Sequence, residues 1–212
     1  MQHVTADVSC LAARPLRVLI GCECSGRVRS AFRALGHDAY SCDLYPAEDR
    51  SPYHFQCSIF DPQVLHEHWD LGIFHPDCTF LVVSGNRWFD DWRVEARMAA
   101  LHFVRAIWAL PIPRIAIENP IGVLSTFWRR PEQVIEPFHF GDPFKKATCL
   151  WLKNLPLLVP TNDLGGGVQA CWKEPPSPAR KKNRSRTYPG IATAMAAQWG
   201  GWAVNEVIEW PA

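Results

Sequence analysis

The sequence predicts an α/β fold with a mostly parallel sheet and helices on both faces. Short apolar runs alternate with helical patterns along residues 17–120, and this order of elements is typical of a parallel sheet. Polar residues follow the ends of several apolar runs, and ligands of such sheets bind at the carboxyl ends of the strands. The sequence therefore predicts both the architecture and the edge of the sheet that carries a site.

Each predicted element rests on a local pattern. Residues 26–35 place apolar side chains on one helical face, and Gly36 ends that pattern. A long helical pattern covers 88–110 and a shorter one covers 191–198, whereas 156–186 is rich in proline, glycine and basic residues and is predicted to be a loop. The predicted strands are 17–21, 39–42, 55–60, 71–74, 114–117, 134–140 and 148–152.

Length and composition fit one soluble domain. The chain has 212 residues, of which 48% are hydrophobic and 20% are charged. We expect residues 1–15 to form a flexible lead-in, residues 16–212 to form a single domain, and 153–187 to be a basic, Pro/Gly-rich loop within it. No apolar run reaches the roughly 18 residues of a membrane span, and the start lacks a signal-peptide pattern. These observations predict a cytoplasmic protein with no membrane association.

Charge and cysteine content narrow the function classes. The net charge of +1 excludes a dedicated basic coat for nucleic acid, so any such contact must come from a local cluster. The clearest cluster is 180–186, with five cations in seven residues, and a solvated loop is the alternative interpretation. The eight cysteines include no CxxC pair, which favours reduced thiols and predicts no metal site.

The segment 21–26, Gly-Cys-Glu-Cys-Ser-Gly, is a candidate cofactor loop. It follows a predicted strand and opens a helix, so small residues would let the backbone and the helix amides approach a nucleotide-like ligand. Asp43 ends the next strand, where it would accept hydrogen bonds from ribose hydroxyls. Asp61 ends the third strand, where it would accept from an adenine amino group. A tight turn beside two ordinary loop carboxylates is the alternative.

Cys78 and Glu118 are the candidate chemical groups. Cys78 lies in a loop directly after the fourth predicted strand, and Pro76 stiffens the approach to it. A thiol in this position is a candidate nucleophile, with a structural cysteine as the alternative. Glu118 follows an apolar strand, and partial desolvation there is expected to raise the pKa of its carboxyl group. The alternative for Glu118 is a strand-end carboxylate that caps the next helix.

Together these two segments resemble the DNA cytosine-5 methyltransferase family. Residues 76–78 (Pro-Asp-Cys) are similar to the family's Pro-Cys loop, which supplies the nucleophile, and 118–120 (Glu-Asn-Pro) are similar to its Glu-Asn dipeptide. The resemblance covers most of 17–120 and touches 145–148 and 189–192. It is closest to the short methylase-like proteins often encoded by bacteriophages.

The resemblance implies a Rossmann-like S-adenosylmethionine-dependent methyltransferase fold, with residues 16–212 as the catalytic domain. It implies S-adenosyl-L-methionine as the cofactor, DNA as the partner and carbon 5 of cytosine as the methyl acceptor. The implied catalytic residues are Cys78, which would form a covalent adduct, with Glu118 and Asn119. A cytosine in duplex DNA would have to be flipped out of the stack, whereas a single strand would present it directly. The implied cofactor-binding residues are Gly21, Glu23, Cys24, Ser25, Gly26, Asp43, Asp61 and Pro76. The implied substrate-binding residues are Ser84, Asn86, Arg87, Lys145, Lys146, Arg184 and Arg186.

The sequence departs from the family in ways that leave alternatives open. Only Gly26 matches the family's glycine-rich cofactor loop, and Asp77 stands where a second proline is usual. The stretch 159–186 is too short for a separate target-recognition domain. One alternative is modification of carbon 5 in RNA, single-stranded DNA or free nucleotides. The other is a protein that binds DNA or the cofactor without turnover.

Overall fold

The computed structural model describes residues 14–82, 91–169, 183 and 185–205. Four of the predicted substrate-binding residues lie outside these ranges, namely Ser84, Asn86, Arg87 and Arg184. Most of the predicted lead-in 1–15 also lies outside them, so these predictions stay predictions.

Seven strands of the described residues form one sheet. They are β1 (Arg17–Gly21), β2 (Asp38–Asp43), β3 (His54–Gln56), β4 (Leu71–Phe74), β5 (Ile115–Pro120), β6 (Gln133–Ile135) and β7 (Thr148–Lys153). Their order across the sheet is β3-β2-β1-β4-β5-β7-β6. The first five strands pair in parallel, and β7 runs antiparallel to both β5 and β6. The predicted mostly parallel sheet is confirmed.

Helices cover both faces of the sheet. They are α1 (Arg27–Ala34), α2 (Pro62–Leu65), α3 (Asp91–Trp108), α4 (Leu124–Phe127) and α5 (Pro189–Asn205). Side chains of a strand alternate between faces, so β1 contributes to two separate cores. Val18 and Ile20 pack in the core that contains α1 and α5, whereas Leu19 packs in the core that contains α3. The predicted helices on both faces are therefore confirmed. None of the described helices is both long and apolar enough to cross a bilayer.

Two predicted strands are shorter in the structure. The strand predicted at 55–60 ends at Gln56, because Ser58 begins a turn in which its carbonyl accepts from Asp61, the residue that caps α2. The strand predicted at 134–140 ends at Ile135, because Pro137 opens a 3₁₀ turn that continues to His139. Apolar content alone does not reveal either of these ends.

The strand predicted at 114–117 extends further in the structure, which changes where the candidate carboxyl lies. The prediction of 114–117 ended at the first polar residue, but β5 continues through Glu118 and Asn119 to Pro120. The antiparallel strand β7 pairs Glu118 with Leu150 and Asn119 with Cys149. Both polar side chains are therefore fixed within the sheet instead of following it on a loop.

Candidate active site

The register between β4 and β5 brings the two family-like segments together. Phe74 lies beside Ile117 in this parallel pair, so the residues that follow each of them are neighbours. The His75 ring nitrogen Nδ1 lies 3.1 Å from Glu118 Oε2, and the Asn119 amide nitrogen donates to the Pro76 carbonyl at 2.8 Å. The backbone that leads to the nucleophile loop is therefore tied to β5 by two side-chain hydrogen bonds.

Strand β7 brings a cation to the same edge of the sheet. Because β7 is antiparallel and starts opposite the end of β5, residues just before Thr148 lie near that end. Lys146 is one of them, and its charge acts on both the Glu118 carboxyl and the Cys78 thiol. The sulfur, the carboxyl and the ammonium group thus share one electrostatic environment, although they come from three separate parts of the sequence.

The expected direction of the Glu118 pKa shift is wrong. The side chain is 11% exposed, and burial by itself acts to raise the pKa of the carboxyl. The His75 hydrogen bond, the Lys146 charge and the Thr148 side chain outweigh burial and hold the pKa of Glu118 below its usual range. The carboxyl is therefore an anion at neutral pH, because its partners stabilise the charged form.

The Cys78 thiol carries the opposite shift. Burial raises the pKa of Cys78, the charges of Asp77 and Glu118 raise it further, and Lys146 opposes them. Asp77 accepts hydrogen bonds from the backbone nitrogen and the hydroxyl of Thr79, at 2.9 Å and 2.6 Å, so part of its charge is taken up within the loop. In the resting protein Cys78 is a thiol, and a reaction at its sulfur requires loss of that proton.

A second connection between the two segments was missed by the sequence analysis. The Cys78 carbonyl accepts from the backbone nitrogens of Leu81 and Val82, and Val82 forms a bridge with Gly122. The Val123 nitrogen then donates to the Leu81 carbonyl at 2.7 Å. A side chain at position 122 would lie 2.1 Å from that carbonyl, so only glycine fits there. A glycine two residues after Glu-Asn-Pro was the available signal.

Replacing Gly122 with alanine is expected to displace the nucleophile loop. The added Cβ would meet the Leu81 carbonyl at 2.1 Å, which backbone movement alone can relieve. We expect activity at Cys78 to fall about tenfold or more, since small misplacements of reacting groups are costly. Gly166→Ala is the matched control, because nothing lies within 4 Å of a Cβ at that position. Initial rates and melting temperatures of the two variants provide the comparison, and equal rates would contradict the expected displacement.

The loop after β1 turns sharply and buries an acidic side chain. Gly26 has a φ of 72° and Cys22 a φ of 58°, so the chain reverses sharply between β1 and α1. Glu23 is 6% exposed, and its Oε1 accepts from the Ser25 hydroxyl at 2.6 Å and the Val28 nitrogen at 3.3 Å. Its Oε2 is buried and has no partner among the described residues. An ammonium or hydroxyl donor of S-adenosylmethionine would satisfy this oxygen, so the loop fits the cofactor.

The remaining predicted cofactor residues have local roles in the structure. Close packing requires glycine at position 21, because a Cβ there would lie 2.4 Å from the Phe74 ring. Asp43 accepts from the Tyr45 nitrogen and acts on the Cys22 thiol, whose pKa burial raises to about 12 with help from this carboxylate. Asp61 accepts from the Gln63 nitrogen and so caps α2. Asp43 therefore lies at the edge that carries the loop, and Asp61 is engaged at a helix start.

Two of the predicted substrate-binding cations, Lys145 and Arg186, differ in their surroundings. Lys145 is exposed, and its backbone nitrogen donates to the Val168 carbonyl. The Arg186 guanidinium lies 2.5 Å from the Glu48 carboxylate. Glu48 also contacts the cofactor loop, since its backbone nitrogen donates to the Cys24 carbonyl at 2.9 Å. Arg186 therefore joins the basic segment to the loop after β1, a contact that the sequence does not reveal.

The strand order, the helices on both faces and the loop after β1 define a Rossmann-like S-adenosylmethionine-dependent methyltransferase fold. Among solved structures, the Entamoeba histolytica methyltransferase EhMeth is similar, with a TM-score of 0.51 at 12% identity over 71% of this chain and 58% of that chain.

Two further solved structures have lower TM-scores. They are S. pombe Dnmt2 methyltransferase (TM-score 0.44, 18% identity, 67% of this chain and 52% of that one) and a Spodoptera frugiperda DNMT2 mutant (0.42, 16%, 73% and 55%). The chain thus matches little more than half the length of each of the three solved structures. Comparisons with protein-family models and with curated proteins give no match.

Proposed function

We propose that this protein transfers a methyl group from S-adenosylmethionine to carbon 5 of cytosine in DNA, through a covalent adduct with Cys78. The observation that carries the proposal is the β4–β5 register, which ties the segment leading to Cys78 to Glu118 and Asn119, together with the Lys146 charge that acts on both the thiol and the carboxyl. The description of EhMeth as a methyltransferase supports the same class of reaction. A cytoplasmic location and DNA as the partner belong to this proposal.

The three groups fit the electronic demands of the reaction. Carbon 5 of cytosine is a poor nucleophile until the Cys78 thiolate adds to carbon 6, which pushes electrons toward carbon 5 and ring nitrogen 3. Glu118, an anion at rest, takes up a proton as the Cys78 thiol loses one and holds it against nitrogen 3, while the Lys146 charge offsets negative charge that develops beside it. The cofactor supplies an electrophilic methyl group. Carbon 5 bonds to that methyl group as the methyl–sulfur bond of the cofactor breaks. The carbon 5 proton is then lost to a base in solvent, and the Cys78 sulfur leaves as a thiolate, which restores the ring.

Two lysines at the edge of the site are available to a nucleic-acid substrate. Lys145 is exposed and Lys146 half-buried at the edge of the site, so phosphate and base contacts are both available there. The described stretch 154–169 contains no helix or strand that would form a recognition domain. We therefore infer weak sequence selectivity, with affinity that comes mainly from backbone contacts and falls with salt.

Trapping with 5-fluorocytosine tests the proposal. After methyl transfer, a fluorine at carbon 5 cannot leave as a proton does, so the Cys78 adduct should persist under denaturing conditions. We expect a cofactor-dependent adduct with fluorinated DNA, mapped to Cys78 by mass spectrometry. Parallel reactions contain duplex DNA, single-stranded DNA, RNA and the mononucleotide. An adduct with RNA or mononucleotide alone would overturn DNA as substrate, and no adduct in any arm would overturn the reaction.

A further inference from the structure

The His75 side chain is buried beside Glu118 and makes one hydrogen bond. It is 6% exposed, and its Nδ1 lies 3.1 Å from Glu118 Oε2. Glu118 is an anion in the resting protein, and a carboxylate accepts hydrogen bonds but cannot donate them. The hydrogen between the two groups is therefore assigned to Nδ1, with the imidazole as the donor.

The other ring nitrogen of His75 is in an environment that packing alone does not explain. His75 Nε2 is buried and has no partner among the described residues, which costs free energy in the resting protein. Asn119 shows the same arrangement, because its amide nitrogen binds the Pro76 carbonyl while its Oδ1 is buried without a partner in the described chain. Both residues bridge β5 and the nucleophile loop, so the unmet groups coincide with the candidate site.

We infer that His75 is a positioning residue for Glu118: its Nδ1–H holds one carboxyl oxygen and so fixes the orientation in which the carboxyl meets the pyrimidine ring. The inference rests on the proposed function for the identity of that ring. The geometry itself follows from the β4–β5 register, because His75 is the residue after Phe74 and Glu118 is the residue after its partner Ile117. His75 is also anchored through its backbone nitrogen, which donates to the Gly21 carbonyl at 3.0 Å.

Other charged and titratable groups also face the Glu118 carboxyl and act on its pKa. Thr148 approaches Glu118 from β7, and Lys146 approaches it from the segment before β7. The Glu118 charge in turn raises the pKa of the Cys149 and Cys78 thiols. Removal of the imidazole leaves all of these in place. It removes one hydrogen-bond donor, which lets the carboxyl rotate and raises the pKa of Glu118 toward that of a buried acid.

Three replacements separate the hydrogen bond from the shape of the ring. Asparagine places its amide nitrogen near the position of Nδ1, glutamine places it near Nε2, and alanine removes both. We expect His75→Ala to lower kcat about tenfold to a hundredfold, because loss of the fixed carboxyl orientation outweighs the larger protonated fraction that a raised Glu118 pKa gives. His75→Asn should recover most of this loss, and His75→Gln should recover little of it.

The acid limb of the kcat/KM profile supplies a readout that a purely structural role would not change. In His75→Ala this limb should move to higher pH, because the donor that stabilised the charged carboxyl is gone, and in His75→Asn it should stay near its wild-type position. Equal recovery by asparagine and glutamine, or an unmoved limb in the alanine variant, would overturn the inference. Melting temperatures at neutral pH identify any variant that fails to fold. If His75→Ala is unfolded, the kcat and the acid limb of His75→Asn, compared with those of His75→Gln, test the inference.

The hydrogen on His75 Nδ1 can be measured by NMR independently of any methylation activity. In the wild-type protein labelled with ¹⁵N-histidine, we expect the His75 Nδ1 to carry hydrogen across neutral pH and to respond to Glu118→Ala. A bare Nδ1 would overturn the positioning role even if the enzyme methylates DNA. Conversely, a protonated Nδ1 in a chain that forms no adduct with any cytosine substrate would refute the function while the pairing stands.

Discussion

Replacement of Cys78 by serine is expected to lower methyl transfer to cytosine by roughly a thousandfold or more. The change exchanges a thiol for a hydroxyl that ionises far less readily, so far less of the ionised nucleophile is available at neutral pH. The side chain is half-buried and small, so we expect the fold to tolerate the exchange. The measurement is incorporation of labelled methyl groups into DNA at saturating cofactor.

Cys57→Ser is the matched control for this experiment. Cys57 is also half-buried, but its sulfur lies 4.0 Å from that of Cys42, on the far side of the cofactor loop from the candidate nucleophile. We expect the control to retain activity within about twofold and both variants to melt near the wild-type temperature. Activity of the Cys78 variant within tenfold of wild type would mean that another group performs the chemistry.

Local patterns predicted those parts of the fold that local interactions determine. Strands β1 and β4 agree with prediction at both ends, because each is a continuous apolar run that stops at a loop. The end of β5 was misplaced since it depends on pairing with β7, which follows about 30 residues later and leaves no mark within β5 itself. Sequence patterns report burial and periodicity well, and they report nonlocal pairing poorly.

In the candidate site too, local sequence patterns identified residues, whereas features that depend on nonlocal contacts were not predicted. Cys78 and Glu118 were identified from their positions after apolar runs and from a family resemblance. The pKa direction of Glu118 was not, because it depends on His75 and Lys146, which reach the carboxyl only in the folded chain. Gly122 could be noticed as a glycine two residues after Glu-Asn-Pro, but its role depends on its contact with the Leu81 carbonyl, which only the folded chain shows. Predicting such features requires the register of β4, β5 and β7.

Glu118→Gln is expected to lower kcat/KM at neutral pH by about a hundredfold to ten-thousandfold. An amide can still hydrogen-bond to the ring, but it cannot take up a proton and share it with ring nitrogen 3, which is the role of a general acid. The buried volume hardly changes, and the His75 donor keeps an oxygen to bind. Glu67→Gln is the control, because that carboxylate pairs with Arg17 at the opposite edge of the sheet.

The pH dependence of kcat/KM tests whether Cys78 and Glu118 act as a pair. The working state combines the Cys78 thiolate with a protonated Glu118, although the pKa of the thiol is raised and that of the carboxyl is lowered. Between the two pKa values, each unit of pH increases the thiolate about tenfold and decreases the protonated carboxyl about tenfold, so the product is constant. We therefore expect the wild-type kcat/KM to be flat through neutral pH. It should fall below the pKa of Glu118 and above that of Cys78.

In Glu118→Gln only the thiolate still titrates. The plateau should become a slope of about tenfold per pH unit that rises toward the pKa of Cys78. That pKa should itself lie lower than in the wild type, because the Glu118 charge that raised it has been removed. A flat profile in the variant would show that Glu118 is not the group that loses its proton. A sloped profile in the wild type would mean that the thiol and the carboxyl do not act as a reverse-protonated pair.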